Sequence, residues 1–91
     1  MTSRATHKLK LFVAGSSSRS LRAIRNLLRV LENDVSGRYN LEVVDIYQHP
    51  SRATKDDVVA VPMLVRDSPG IRWRIVGDLS EADLLRARLG I

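Results

Sequence analysis

The sequence predicts an α/β fold in which helices cover one four-stranded mixed sheet. Segments with the two-residue period of strands alternate with segments whose apolar residues repeat every three or four positions, as in helices. The last two strand segments are close enough in the chain to form an antiparallel hairpin. With 91 residues there is room for one hydrophobic core, so residues 1–91 are expected to form a single domain.

The first strand and the first helix have clear patterns. Residues 8–14 alternate in the manner of a strand, and Gly15 followed by serines ends this alternation. A serine at this point can cap a following helix by accepting a hydrogen bond from a free backbone N–H. The helix is predicted to reach about Asn33, with an apolar stripe facing the core and arginines on the opposite side. The stripe consists of Leu21, Ile24, Leu28 and Leu31, and the arginines are Arg22, Arg25 and Arg29.

Two further strands and a short helix are predicted in the middle of the chain. Residues 41–46 are rich in β-branched side chains and form the second strand. Pro50 suits the first turn of a helix, so a helix is predicted over 51–58. Pro62 cannot donate to a strand ladder, and it therefore marks the start of a third strand at 63–65.

A hairpin and a closing helix complete the predicted fold. The turn at 67–70 leads to a fourth strand, in which Trp73 is predicted to face the core. The apolar residues that alternate with arginines there are Ile71, Trp73 and Ile75. Ser80, with Asp83 three positions later, is predicted to cap a helix over 81–89. The leucines expected to point inward are Leu84, Leu85 and Leu89.

The resulting order of elements, βαβαββα, is the thioredoxin-like arrangement. Thioredoxin-like enzymes hold a reactive cysteine at the start of the first helix. This chain has no cysteine, which excludes thiol redox chemistry, disulfides and thiolate metal sites. His7 and His49 are the only histidines, and neither has the spacing to carboxylates of a metal site or a catalytic triad. The sequence therefore predicts a protein that is not an enzyme and uses no cofactor.

The charge balance favours acidic partners. Fifteen Lys and Arg residues against ten Asp and Glu residues give a net charge of +5, which suits an acidic protein, a nucleic acid or a membrane surface. No apolar run approaches the length of a membrane span, and no signal-peptide pattern precedes the first strand. We expect a cytoplasmic protein.

The candidate binding residues are charged side chains of the two first helices and the hairpin. They are Arg22, Arg25, Lys55, Asp56, Arg72 and Arg74. Arginine binds carboxylates through paired hydrogen bonds and can also follow the phosphates of a nucleic acid. The few aromatic residues do not form the stacking string that RNA-binding sheets use, so a protein partner is favoured.

Several strings in the right order resemble the circadian-clock KaiB family over nearly the whole chain. The most specific are Val13-Ala14-Gly15, the alternating string Gly37, Tyr39, Leu41, Val43, Asp45, and Gly77-Asp78-Leu79-Ser80. The resemblance implies an adaptor that binds the hexameric KaiC ATPase, competes with a SasA-type kinase and sequesters KaiA. It also implies a second, ground-state fold with a rearranged C-terminal half that forms dimers or tetramers. The strong helix formers over 81–89 predict that this chain favours the thioredoxin-like form.

Departures from the family pattern concern the partner more than the fold. Val61 and Met63 stand where the family has threonines on either side of Pro62, and Glu42 and Asp57 stand where lysine is usual. A simpler timer, a role in stress response and a nucleic-acid-binding module therefore stay open as alternatives. A glutathione-using enzyme on the same scaffold is disfavoured by the missing cysteine.

Overall fold

The computed structural model describes residues 6–35 and 38–90, so Gly37 of the second motif lies outside the described residues. The elements follow the predicted order βαβαββα. The strands are β1 His7–Val13, β2 Tyr39–Asp45, β3 Met63–Ser68 and β4 Trp73–Val76. The helices are α1 Ser18–Val30, α2 Pro50–Lys55 and α3 Ala82–Leu89, and a π-helical turn, Leu31–Val35, follows α1. The helical state of α3 is the one predicted for the thioredoxin-like form.

The four strands form one mixed sheet in the order β2-β1-β3-β4, which confirms the predicted fold class. β1 and β2 are parallel, with Leu9 opposite Leu41, as expected for strands connected through a helix. β3 is antiparallel to both β1 and β4, so the predicted hairpin is present. The Val61–Pro62 peptide bond is cis. β2 and β4 are the two edges of the sheet.

The sheet separates two apolar clusters. On one face, which we call the α1 face, α1 and α3 cover strand residues such as Leu11 and Leu64. On the other, the α2 face, a smaller cluster surrounds Phe12 and Met63. All four of these side chains are fully buried. Successive side chains of a strand point to opposite faces of the sheet, so β1 and β3 each contribute residues to both clusters.

The buried side of α1 is rotated relative to the predicted stripe. Its buried residues are Ser20, Ala23, Leu27 and Val30. Leu21, predicted to face the core, is instead 49% exposed. Of the other stripe residues, Leu31 is buried and Ile24 and Leu28 are half-buried. Ser20 and Ala23 are small, so they allow the first turns of α1 to lie close to the sheet. The predicted stripe contains only large apolar residues and therefore does not include them.

Two apolar residues predicted to face inward are exposed. Ile71 precedes β4 and is 86% exposed, because the strand begins only at Trp73. Leu84 is 38% exposed, whereas the two leucines that follow it in the predicted set are buried. Trp73 packs against the core of the α1 face, as predicted, and the Arg66 guanidinium lies 5.1 Å from the centre of its ring.

Two helix ends differ from the prediction. α2 stops at Lys55 and not at Val58, since Asp57 takes a left-handed backbone conformation (φ 54°) that a helix cannot continue. α3 has Glu81 at its N-cap with no side-chain capping hydrogen bond, so Ser80 does not cap it. Both ends depend on backbone geometry that the residue types alone do not determine.

Candidate protein-interaction surface

The turn between β1 and α1, where thioredoxin-like enzymes hold their thiol, is closed by its own hydrogen bonds. Ser17 caps α1 by accepting from the backbone N–H of Ser20 at 3.2 Å, which confirms the predicted serine cap. The buried Ser20 hydroxyl accepts from the backbone N–H of Ala14 at 3.1 Å and from the Ser17 hydroxyl at 2.9 Å. These serine oxygens are used to hold the turn together.

Two of the motif strings meet at this turn. The backbone N–H of Gly15 donates to Asp45 Oδ1 at 3.0 Å, and the N–H of Tyr47 donates to the same oxygen at 3.0 Å. Gly15 has φ +55°, and a Cβ at this position would lie 3.4 Å from the Tyr47 ring. Glycine is therefore favoured by both the backbone conformation and the space. Asp45 fixes the start of the α1 segment to the end of β2.

The outer face of α1 is basic, and one of its arginines is tied to the loop before α3. Arg22 Nε lies 3.5 Å from Asp78 Oδ2, and Asn26 Nδ2 donates to the Asp78 carbonyl at 2.9 Å. Hydrogen bonds from Ser80, together with the Arg22 guanidinium, hold the pKa of the Asp78 carboxyl below its usual range. Within the described residues, three exposed arginines of α1 form no salt bridge: Arg19, Arg25 and Arg29.

A groove of 480 Å³ lies between the start of α1, the end of β4 and α3. Its apolar lining includes Ile75, Val76 and Leu84. The charged residues along it are Arg19, Arg22, Asp78 and Glu81. An apolar lining with charges of both signs can hold an aliphatic side chain of a partner.

Four charged side chains form a network on the α2 face. Lys10 Nζ lies 3.1 Å from Asp67 Oδ2 and 3.5 Å from Asp56 Oδ1. Arg72 reaches the same two carboxylates, with Nε 2.9 Å from Asp67 Oδ1 and Nη2 3.4 Å from Asp56 Oδ1. Burial raises the pKa of Asp67, but hydrogen bonds from Arg72 and Lys10 outweigh it and leave that pKa below its usual range. The network connects β1, β3, the end of α2 and the hairpin loop.

The structure divides the six predicted binding residues between the two faces of the sheet. Arg22 and Arg25 are exposed on α1. Lys55 is exposed at the end of α2, and Arg74 is exposed on β4, where its Nη1 donates to the Asp57 carbonyl at 2.9 Å. Asp56 is buried and lies within the network described above, together with Arg72. The Asp56 carboxylate is therefore paired with Arg72 and Lys10 inside the network and is not presented to solvent.

Several residues that shape these surfaces are absent from the predicted set. Lys10 and Asp67 complete the network, and Arg19 and Asp78 line the groove. A lysine at position 10 between apolar neighbours of a strand is a signal for a paired charge, because a half-buried ammonium needs a carboxylate. The groove has no such signal, since its sides come from segments far apart in the chain.

Within residues 6–35 and 38–90, no helix has the length and apolar character needed to cross a membrane. The same residues contain no group of three side chains arranged to hold a metal ion.

Comparison with known proteins places the chain in a family. Residues 10–91 match the model of the KaiB domain. The chain belongs to the KaiB family. It is 41% identical over 83 residues to the circadian clock oscillator protein KaiB of Prochlorococcus marinus (strain MIT 9312), covering 91% of this chain and 79% of the relative. For the KaiB of Synechococcus sp. (strain CC9311) the identity is 40% over 83 residues, with 91% and 70% covered.

The solved structures that resemble this KaiB-family chain share its fold. The N-terminal domain of Synechococcus elongatus SasA matches with a TM-score of 0.78 at 22% identity, covering 98% of this chain and 84% of that domain. Mitochondrial thioredoxin 3 of Saccharomyces cerevisiae matches with a TM-score of 0.75 at 16% identity, covering 97% and 81%. These identities support the thioredoxin-like fold and carry no statement about activity.

Proposed function

We propose that this chain is a non-enzymatic adaptor of a circadian clock or a related timer, which binds a KaiC-type ATPase ring and modulates its phosphorylation cycle. The observation that carries this proposal is the KaiB domain match over residues 10–91. Competition with a SasA-type kinase for the same ring is part of this proposal and rests on the family match, since the SasA domain shares only the fold. The absence of cysteine and the hydrogen-bonded serine turn argue against a thiol enzyme.

The proposed contacts use exposed arginines on both sides of the molecule. Arg22 and Arg25 present guanidinium groups from α1, and guanidinium groups bind carboxylates in a bidentate manner. On the α2 face, beside the network that holds Arg72, Arg74 presents a guanidinium group and Lys55 an ammonium group, which attracts a carboxylate as a point charge. A KaiA-like protein and further copies of this chain are additional proposed partners, and the cytoplasm is the proposed compartment.

Complex formation with the cognate KaiC-type ATPase tests the proposal. We expect size-exclusion chromatography with light scattering to show a complex after hours of incubation with nucleotide, and the phosphorylated fraction of the ATPase to change. Arg22→Ala is expected to weaken the complex. Arg88→Ala is the matched control, because Arg88 is an exposed arginine of α3 without a salt bridge among the described residues. No complex with ATP or ADP after long incubation would contradict the proposal.

A nucleic-acid-binding module is the second candidate, and the exposed arginines of α1 favour it. Such binding falls steeply with salt, because each neutralised phosphate contributes a slope of about −0.9 in log K against log salt for duplex DNA. A titration of duplex DNA at several salt concentrations therefore separates the candidates. A steep slope together with no ATPase complex would select the nucleic-acid function.

A further inference from the structure

The outer edge of β4 is unpaired in the part of the chain that the structure describes. β4 is the last strand in the sheet order and bonds only to β3. An edge strand presents backbone N–H and C=O groups on which another strand can pair.

The register shows which backbone groups point outward from this edge. The N–H of Gly77 donates to the Pro62 carbonyl at 2.9 Å, just beyond the ladder of β3 and β4. In an antiparallel pair, hydrogen-bonded and non-bonded positions alternate along the strand. Ile75, two residues from Gly77, therefore bonds to β3, whereas Arg74 and Val76 direct their backbone groups away from the sheet.

The side chains next to this edge differ between the two faces. On the α1 face, β4 borders the groove, whose apolar lining includes Ile75 and Leu84. The charged lining is balanced, with Arg19 and Arg22 against Asp78 and Glu81, so the groove does not select for charge and its apolar residues suit an aliphatic side chain. On the α2 face, Arg74 is exposed and forms no salt bridge among the described residues. A carboxylate fits beside Arg74.

A second copy of this chain is a poor occupant of the edge. Antiparallel pairing of β4 with β4 of another molecule would bring arginines from two positive molecules together, because Arg74 lies inside this four-residue strand and Arg72 just precedes it. Like charges on paired strands are destabilising. The net charge of +5 adds to this repulsion.

We propose that β4 binds an extended segment of a partner protein as a fifth strand, and that acidic and aliphatic residues alternate in this segment. The acidic side chains lie on the α2 face beside Arg74, and the aliphatic ones enter the groove on the α1 face. Main-chain hydrogen bonds to Arg74 and Val76 supply affinity, while the alternating side chains supply selectivity. This inference goes beyond the adaptor function and is independent of the identity of the ATPase.

A synthetic peptide tests the edge directly. The probe is a blocked peptide of about eight residues, enough to span the edge of a short strand, in which glutamate and valine alternate. Trp73 is the only tryptophan and lies on β4, so its emission reports binding. We expect a saturable change with this peptide and none with the lysine–valine analogue. Slowed amide exchange at Arg74 and Val76 in the complex is also expected.

Two N-methylated isomers of the peptide distinguish strand addition from attraction between charges. One carries methyl groups on the glutamate nitrogens and the other on the valine nitrogens, and each set faces one side of an extended strand. Strand addition requires that one isomer loses binding while the other keeps it. Loss with glutamate methylation indicates antiparallel pairing, and loss with valine methylation indicates parallel pairing. Equal binding by both isomers, or equal loss, would overturn the proposal.

Variants of the protein provide the second readout. Val76→Pro removes an N–H that points away from β3, and we expect the dissociation constant to rise about tenfold, the effect of one main-chain hydrogen bond. Arg74→Glu is expected to weaken binding by a similar factor. Arg29→Glu, with the same change in net charge on an exposed arginine of α1, is the matched control and should leave binding unchanged. Equal weakening by both glutamate variants would overturn the proposal even if Val76→Pro failed to fold.

Discussion

Replacement of Lys10 by methionine tests how much the charge network on the α2 face contributes to the stability of this fold. Lys10 Nζ is shared between Asp67 at 3.1 Å and Asp56 at 3.5 Å. Methionine keeps most of the length and apolar character of the lysine stem but removes the charge. Asp56 is then left with Arg72 at 3.4 Å as its remaining ion-pair partner among the described residues.

The magnitude follows from the burial of the two partners. Loss of one member of a buried ion pair costs about 3–5 kcal/mol, whereas an exposed pair is worth about 0–1 kcal/mol. The Lys10 side chain is 27% exposed and the Asp56 side chain 10%. We therefore expect Lys10→Met to lower the free energy of unfolding by about 2 kcal/mol, between these limits. For a chain of this length, that corresponds to a fall in Tm of about 8–16 °C.

Urea denaturation followed by circular dichroism measures this loss. Lys55→Met is the matched control, because Lys55 is exposed and forms no salt bridge among the described residues, and its replacement should change stability by less than about 0.5 kcal/mol. Asp56→Leu combined with Lys10→Met should recover part of the loss, since it removes the carboxylate left with one partner. Equal stability of the two methionine variants would show that the ion pairs of Lys10 do not stabilise the fold.

Three further outcomes are expected. Leu27→Ala should cost about 2–5 kcal/mol in urea denaturation, because Leu27 is fully buried, whereas Leu21→Ala should cost less than about 1 kcal/mol at its exposed site. The pKa of Asp67 is lower in the folded protein than in the unfolded chain. Its carboxylate therefore stabilises the fold at pH values above the unfolded pKa, and this contribution is lost as the pH falls from the unfolded pKa to the folded pKa. Asp67→Asn should flatten this part of a curve of unfolding free energy against pH. Ser20→Ala removes the buried acceptor of the Ala14 N–H and should lower the free energy of unfolding by about 1–3 kcal/mol in the same denaturation assay.

The order and direction of the elements could be predicted because each has a local cause. The strand period around Leu9, the proline before β3 and the serines before α1 all act within a few residues. The orientation of α1 could not be predicted in the same way, since Leu21 and Leu27 belong to overlapping stripes with equally good helical spacing. The sheet selects the stripe that contains Ser20 and Ala23, which only packing reveals.

The candidate site was harder to predict than the fold, because its residues meet only in three dimensions. Asp56 reads as a surface charge in a polar stretch, yet Lys10 and Arg72 come from distant segments and enclose it. Arg25 and Lys55 have the exposure expected of them, since long charged side chains on helices that cover a sheet reach solvent easily. Residue type therefore predicts exposure well for isolated charges and poorly for charges that find partners.

The division of the basic residues between two faces restricts how a partner can reach them. The sheet and its helices separate the α1 arginines from Lys55, so a flat acidic surface meets one face at a time. The edge of β4 is different, because the groove that includes Arg22 borders it on one side and Arg74 lies on the other. A partner that follows this edge should therefore lose affinity on substitution of either arginine, whereas a flat partner should respond to one of them. Comparison of Arg22→Ala with Arg74→Ala in the ATPase complex distinguishes these two modes of binding.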